Sequence, residues 1–255
     1  YHFHPGEMVL SIGSYGCNFR CKQCLNWGHS WGEPATSILK KLAQGKSQPT
    51  LLPKELIKKI KQAGYHGLAF TYNEPIIWAE YVLDAARLAK KEGLFTVFIT
   101  NGSWTKETLD KIGPFIDAAT TALCPCQEKT YARQGAFFGQ IPEMAKYAQK
   151  KHQIHLELTT LLIPGINDNS EELKKMTQWI VKNLGPKTPW HLSRYSPDSA
   201  PDEKFQQIPA TSVKQLERAA AIGRRAGLKF IYIWAPGHSL PGGPFLCSET
   251  VCPKC

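Results

Sequence analysis

Three cysteines stand within eight residues of one another, in Cys17-Asn-Phe-Arg-Cys21-Lys-Gln-Cys24. Thiolates are soft donors that suit an iron–sulfur cluster or zinc, and the number of donors narrows the chemistry. A structural zinc site would want a fourth ligand close by, whereas a site built to react leaves one metal position open to a substrate. Cys124 and Cys126 flank one proline, and Cys247, Cys252 and Cys255 crowd the last nine positions. Eight cysteines is an even number, but 255 residues can bury a core without disulfides, and the clustering is that of ligands or redox groups in a reducing compartment. Cys124 and Cys126 suit an auxiliary cluster, a hydrogen-atom donor or a sulfur attachment point, with buried small hydrophobes as the plainer reading. The tail cysteines, with His238 upstream, could complete an auxiliary iron–sulfur cluster with Cys124 or Cys126, or form a Cys3His zinc site by themselves; a flexible tail is the alternative.

Such residues need a frame that brings them together. Apolar, β-branched runs alternate with amphipathic stretches along the whole chain, the pattern of repeated βα units and a parallel sheet. Seven strands are expected at residues 9–14, 67–72, 95–101, 118–124, 155–163, 190–195 and 229–234, and helices at 53–63, 75–92, 106–115, 142–151, 171–184 and 212–226. Asn169 three before Glu172, and Ser212 three before Gln215, have capping-box spacing, while Gly64, Gly93, Gly185 and Gly227 stand where helices should stop. The expected fold is α/β, a partial TIM-type (β/α) barrel over residues 1–235 followed by a Pro/Gly-rich tail, 236–255. In such barrels chemistry gathers at the carboxyl ends of the strands. Those ends carry the 15–24 cysteine loop, Asn73-Glu74-Pro75, Asn101-Gly102, Cys124-Pro125-Cys126 and residues 164–168.

Composition closes off other classes. At 42% hydrophobic and 20% charged the chain is neither disordered nor collagenous. No run approaches the ~18 apolar residues of a membrane span, and YHFHPGEM lacks the basic and apolar regions of a signal peptide, so a soluble, cytoplasmic protein is expected. The net charge of +10 permits acidic partners without identifying one; seven lysines against one glutamate between Lys40 and Lys61 read as a basic surface. No RNP, helix-turn-helix or zinc-finger pattern accompanies it, which makes nucleic acid an unfavoured partner. Gly45-Lys46-Ser47 lacks the upstream glycine and strand of a P-loop, and no Gly-x-Ser-x-Gly elbow, HExxH helix or Rossmann fingerprint occurs.

The C-x3-C-x2-C loop directly after the first strand resembles the radical S-adenosylmethionine superfamily. The segments HFHPGEMVLSIGSYGCNFRCKQCLNW, TYNEPIIWAEYVLDAA, VFITNG, LLIPGINDN and HLSRYSPD extend the likeness, over roughly residues 1–234, to its AmmeMemoRadiSam and pyruvate-formate-lyase-activating-enzyme-like branch. The resemblance implies that Cys17, Cys21 and Cys24 hold a [4Fe–4S] cluster whose fourth iron is chelated by S-adenosylmethionine. It implies that Phe19 lies near the adenine, a core residue being an equal reading, and that the turn carrying Asn73 and Glu74, at the family's Gly-Gly-Glu-Pro position, accepts the methionine ammonium. It also places Asn101, Thr159, Asn167 and His191 near the bound cofactor; for these four, a turn residue or a satisfied strand polar group is an equal reading. Relatives carry Asp-x-Lys at the end of the fourth strand, where this chain has Ala122-Leu123-Cys124. A thiol cannot replace the lysine cation beside an anionic group, so the relatives' activity does not transfer whole.

The expected function is reductive cleavage of S-adenosylmethionine to a 5′-deoxyadenosyl radical that abstracts hydrogen from a substrate, with a small flavodoxin- or ferredoxin-type protein as electron donor. A protein substrate follows from the activating-enzyme likeness. A small-molecule reaction or sulfur transfer using Cys124 and Cys126 is the second expectation, and a non-catalytic zinc- or RNA-binding protein the third.

Overall fold

The structure, a computed structural model, describes residues 2–46, 50–124 and 127–235. Cys126, His238, Cys247, Cys252, Cys255 and the expected tail at 236–255 lie outside the described residues. Seven parallel strands form one sheet in sequence order: β1 (Val9–Ile12), β2 (Gly67–Phe70), β3 (Phe95–Thr100), β4 (Ala118–Ala122), β5 (His155–Leu162), β6 (Trp190–Arg194) and β7 (Ile231–Trp234). Among the described residues β1 and β7 do not pair, so the sheet curls into an open barrel, as the sequence leads one to expect. Among the described residues ten α-helices accompany the strands: α1 (Trp27–Ser30), α2 (Ala35–Ala43), α3 (Pro53–Gln62), α4 (Ala79–Lys91), α5 (Lys106–Ile112), α6 (Glu128–Arg133), α7 (Ile141–Lys151), α8 (Ser170–Asn183), α9 (Glu203–Gln206) and α10 (Val213–Ala226). None of them is long and apolar enough to cross a membrane.

Local chemistry accounts for the element ends. The Asn169 side chain accepts the N–H groups of Glu171 (3.0 Å) and Glu172 (3.1 Å) at the start of α8. Ser212 and Gln215 form a reciprocal capping box on α10, which Gly227 ends in the left-handed region at φ 105°. The structure corrects the sequence reading at the strand ends, most of which stop one or two residues early because the chain turns into the loops that carry polar side chains. The expected helix at 75–92 is a 3-10 turn (Pro75–Trp78) followed by α4, since Glu74 and Pro75 fix the entry. Four helices, α1, α2, α6 and α9, were not expected; three have six or fewer residues, too short for periodicity to reveal.

The outer face of the sheet carries the main core: Leu68, Phe70, Phe98, Leu158, Leu162, Leu192 and Ile233 are fully buried beneath the helices. Each such side chain contributes ~1.5–3 kcal/mol of transfer free energy. The inner face is different. Along β3 buried Thr96, Phe98 and Thr100 alternate with half-buried Phe95, Val97 and Ile99, because the inner residues line a cavity of about 460 Å³. Residues 2–7 run beneath the amino ends of the strands and floor that cavity: His2 stacks on Tyr232 (3.7 Å between centroids) and His4 on Phe95 (4.7 Å).

One glycine shows packing overriding helix propensity. Gly223 lies within α10, where alanine is ordinarily better by ~1 kcal/mol. A Cβ there would stand 2.7 Å from the Trp190 ring and 2.8 Å from Ile231, and Trp190 is fully buried with its indole N–H donated to Thr160 Oγ1 (2.9 Å). Gly223→Ala is therefore expected to destabilise the fold by about 1–3 kcal/mol in urea unfolding; an unchanged or raised midpoint would contradict this packing.

Candidate functional site

The cysteine loop leaves β1 with no strand ladder of its own, and its backbone is satisfied by the ends of other elements. Asn73, just past β2, accepts the Ser14 N–H on Oδ1 (3.1 Å) and donates from Nδ2 to the Gly16 carbonyl (2.6 Å). Farther along, the Arg20 and Lys22 N–H groups bond to the carbonyls of Gly135 (3.0 Å) and Gln134 (2.9 Å), in the turn that follows α6. Gly135 has φ 76°, and a Cβ on it would stand 2.2 Å from the Arg20 carbonyl oxygen, so this approach requires glycine. Asn18 closes a third contact: its Nδ2 donates to Ser103 Oγ (2.7 Å) and its Oδ1 accepts from Asn101 Nδ2 (2.9 Å).

Cys17, Cys21 and Cys24 are unpaired and half-buried on this loop. Backbone N–H groups of Phe19 and Glu74 are directed at the Cys17 sulfur, and Cys24 Sγ lies 3.9 Å from Ser30 Oγ. Burial pushes all three thiols up, and at Cys21 the neighbouring Cys24, Cys17 and Cys124 add to it. Three thiolates so close cost free energy unless a cationic centre joins them. Soft donors with N–H···S contacts, three in number, fit a cluster with one open metal position.

Glu74 is the buried acid of the face. Its carboxylate accepts the Ile76 N–H (3.0 Å), the Asn101 N–H (2.7 Å) and the Thr100 hydroxyl (2.9 and 3.0 Å). It therefore ties the ends of β2 and β3 together. Burial raises its pKa to about 7 against the pull of those donors. Tyr72, at φ 69°, takes a left-handed conformation in the same turn.

Sheet register sets the rest of the inner face. Thr159 stands opposite Ala122 on one side and His191 on the other, and His191 stands opposite Tyr232. Asn167 is fully buried; it donates to the Leu161 carbonyl (2.8 Å), accepts the Ile163 N–H (2.7 Å) and reaches Cys124 Sγ (3.7 Å). Cys124 donates to Gln134 Oε1 (3.7 Å), and burial raises its thiol. Phe19 is in the main core, edge-on to Phe137 (4.6 Å). His191 has Glu157 as a partner, Nε2 to Oε2 at 2.7 Å, and its ring stacks with His2 at 5.2 Å.

The structure thus brings the three loop cysteines, Asn73, Glu74, Asn101, Cys124 and Asn167 to one strand-end face, and sets His191 in a separate buried group with His2, His155 and Glu157. At Glu157 burial pushes the carboxyl up, but hydrogen bonds from His155 and His191 and the His2 backbone N–H outweigh it and hold the group below the usual carboxylate range. His2 is lowered to about 4, chiefly by burial. Sequence reasoning missed Asn18, Gln134, Gly135 and Glu157. Two of them carried a signal, Gly135 as a glycine within a loop and Glu157 as the acid within an apolar strand.

Comparison with known proteins comes to the same frame. Residues 11–180 match the family model described as the Radical SAM superfamily. An uncharacterized protein of Methanocaldococcus jannaschii is 31% identical over all of this chain and 70% of its own length. A radical SAM methyltransferase from Sphaerobacter thermophilus shares the fold with a TM-score of 0.64 at 15% identity, over 96% of this chain and 72% of that one. A domain of pyruvate-formate lyase-activating enzyme from Bacteroides vulgatus gives 0.55 at 17% identity, over 66% and 99%.

The raised pKa of Glu74 has a defined sign. A carboxyl that titrates near 7 when folded and near 4.5 when unfolded holds a proton only in the folded state between those values, so its contribution to stability falls as pH rises from 4.5 to 7. In the cluster-free protein, the stability of wild type relative to Glu74→Gln should drop across that window by up to about 3 kcal/mol. A constant difference in urea unfolding at each pH would show that Glu74 titrates normally.

Proposed function

Because the chain belongs to the Radical SAM superfamily, whose members are enzymes that use a [4Fe–4S] cluster and S-adenosylmethionine, we propose that it abstracts a hydrogen atom from a protein substrate, as an activating enzyme does. On this reading Cys17, Cys21 and Cys24 hold the cluster and leave one iron for the methionine amino and carboxylate groups. Bound together and reduced by one electron, cluster and S-adenosylmethionine supply methionine and a 5′-deoxyadenosyl radical. The reading is carried by the convergence of three unpaired thiols and the Asn73-Glu74 turn on one strand-end face. The non-catalytic alternative is set aside by membership in the superfamily.

The chain's own residues would act by holding and excluding. Asn73 and Asn101 fix the loop, so that the thiols are arranged before the cofactor arrives. Glu74 keeps the β2 and β3 ends together, and the turn it belongs to receives the methionine ammonium through its carbonyls and carboxylate. Thr159, His191 and Asn167 wall the inner face, and Phe19 backs the loop with an apolar surface where the adenine is expected. Four large apolar side chains rim this face, Leu25, Trp27, Tyr72 and Phe137, each between 40% and 66% exposed. Such a rim suits a macromolecular substrate, and the net charge of +10 suits a small acidic electron carrier of the flavodoxin or ferredoxin type.

A second reading rests on Cys124, a half-buried thiol beside Cys21 at the position where the resemblance implies that relatives carry a lysine. It would serve a small-molecule reaction or sulfur transfer, as a hydrogen donor or, with Cys126 and the tail cysteines Cys247, Cys252 and Cys255, as a ligand of an auxiliary cluster or zinc.

The reconstituted enzyme is expected to hold about four irons per chain that are lost in the Cys17/Cys21/Cys24→Ala variant, along with formation of 5′-deoxyadenosine. Iron remaining in that variant would report an auxiliary cluster. Incubation with a fully deuterated cell extract, split into protein and small-molecule fractions, should place deuterium in 5′-deoxyadenosine from the protein fraction. Label arising only from small molecules would reject the protein substrate and favour the second reading. In that case Cys124→Ser with Cys126→Ser should abolish product while cofactor cleavage continues.

A further inference from the structure

We propose that His2, Glu157 and His191 form a binding site for a divalent first-row transition metal of the zinc class at the floor of the barrel. All three residues are buried, and one potential ligand atom from each lies within 4.8 Å of the others. Two imidazoles and a carboxylate are a borderline donor set that suits zinc or ferrous iron rather than the all-oxygen shells of calcium and magnesium. Among the described residues no thiol takes part, so the site is chemically separate from Cys17, Cys21, Cys24 and Cys124.

A second observation points to a ligand. His2 Nδ1 is fully buried and has no hydrogen-bond partner, although a buried polar atom left unsatisfied costs ~1–3 kcal/mol. The residue is 8% exposed, and its ring is fixed by stacking on Tyr232 and His191. A bound metal would satisfy that nitrogen. The other Glu157 oxygen, Oε1, is already held by the His2 backbone N–H (2.8 Å) and His155 Nε2 (3.2 Å), the outer support that ligating carboxylates commonly have.

The distances permit the ion. Two ligand atoms on one tetrahedral zinc stand ~3.4 Å apart. The His191 Nε2 to Glu157 Oε2 separation of 2.7 Å must open by ~0.7 Å and the longest spacing must close from no more than 4.8 Å, both within reach of side-chain rotation. On ligation, the hydrogen bond between His191 and Glu157 is replaced by a bond from each to the metal, and the neutral imidazole frees its Nε2 lone pair by changing tautomer, its proton moving to Nδ1. Three protein ligands leave a fourth position, and Glu157 also lines the 460 Å³ cavity, which gives water or a substrate group a route to it. Because His2 precedes β1 while Glu157 and His191 belong to β5 and β6, the ion would also clamp the amino-terminal segment beneath the open barrel.

The test uses the full chain, anaerobically reconstituted, equilibrated with zinc chloride and gel-filtered. Wild type should retain one more zinc per chain than either Glu157→Gln or His2→Asn, and its zinc K-edge spectrum should show imidazole scattering with nitrogen and oxygen neighbours. His155→Gln should keep that zinc at saturation with an affinity 10–100-fold weaker. Equal zinc in wild type and both variants, no zinc in wild type, or zinc with sulfur neighbours alone would overturn the assignment. Should Glu157→Gln fail to fold, the wild-type spectrum decides: imidazole scattering supports the site and a sulfur-only shell rejects it. Because no readout depends on turnover, failure here leaves the radical reading untouched, and the converse holds.

Discussion

The structure depends on satisfying the backbone of one irregular loop. Residues 15–24 carry three thiols and lie outside any ladder, yet backbone N–H and C=O groups near a protein interior have to find partners. They find them at the end of β2 and in the turn after α6: Asn73 for Ser14 and Gly16, and residues 134–135 for Arg20 and Lys22, while the Asn18 side chain is held by those of Asn101 and Ser103. A parallel barrel supplies such partners in abundance, because every strand delivers its carboxyl end to the same rim. The fold is thus a device for giving a short, metal-competent loop fixed partners on several sides.

Burial then sets the electrostatics, with opposite outcomes at two carboxylates. Glu74 accepts only neutral donors, two backbone N–H groups and one hydroxyl, and burial still drives it up to about 7. Glu157 is equally buried but faces two histidines and a backbone N–H, and it is held in the anionic form. The difference lies in the donors: hydrogen bonds from the His155 and His191 imidazoles, absent at Glu74, outweigh the burial of Glu157. At the cysteine loop the same dehydration raises three thiols at once, so their ionisation is favourable only in company with a cation.

These two layers were unequally visible in the sequence. The strands were legible because Val, Ile, Leu and Phe form short runs between glycines, and α8 and α10 because Asn169, Ser212 and Gly227 mark their ends. The cysteines, Glu74 and Asn73 were legible by position, since they follow strands. Gln134 and Asn18 were not. Each acts through one side-chain amide whose partner is 83 to 111 residues away in the chain, as in Asn101 to Asn18 and Gln23 to Gln134, and nothing in the local pattern of a polar loop residue announces a long-range bond. His2 was hidden for a related reason: its burial depends on where the segment before β1 runs beneath the finished barrel, which no period records. The contact of Phe19 with the Phe137 ring was hidden in the same way, because an aromatic in a loop does not announce its distant ring partner.

Register joins the rim to the floor. Side chains alternate between the two faces of a strand, so Glu157, Thr159 and Leu161 share the inner face of β5 while Leu158 and Leu162 pack beneath helices. The pairing of Thr159 with both Ala122 and His191 fixes the height at which β4 and β6 present their inner residues. Slipping β5 by one residue would turn Glu157 outward into the apolar core and bring Leu158 into the lumen, losing the histidine contacts and the core packing together. The apolar outer face therefore holds the polar inner face in place. The same alternation holds just past β4, where Leu123 is fully buried on the outer side. Its neighbours Ala122 and Cys124 offer the lumen a methyl group and a half-buried thiol.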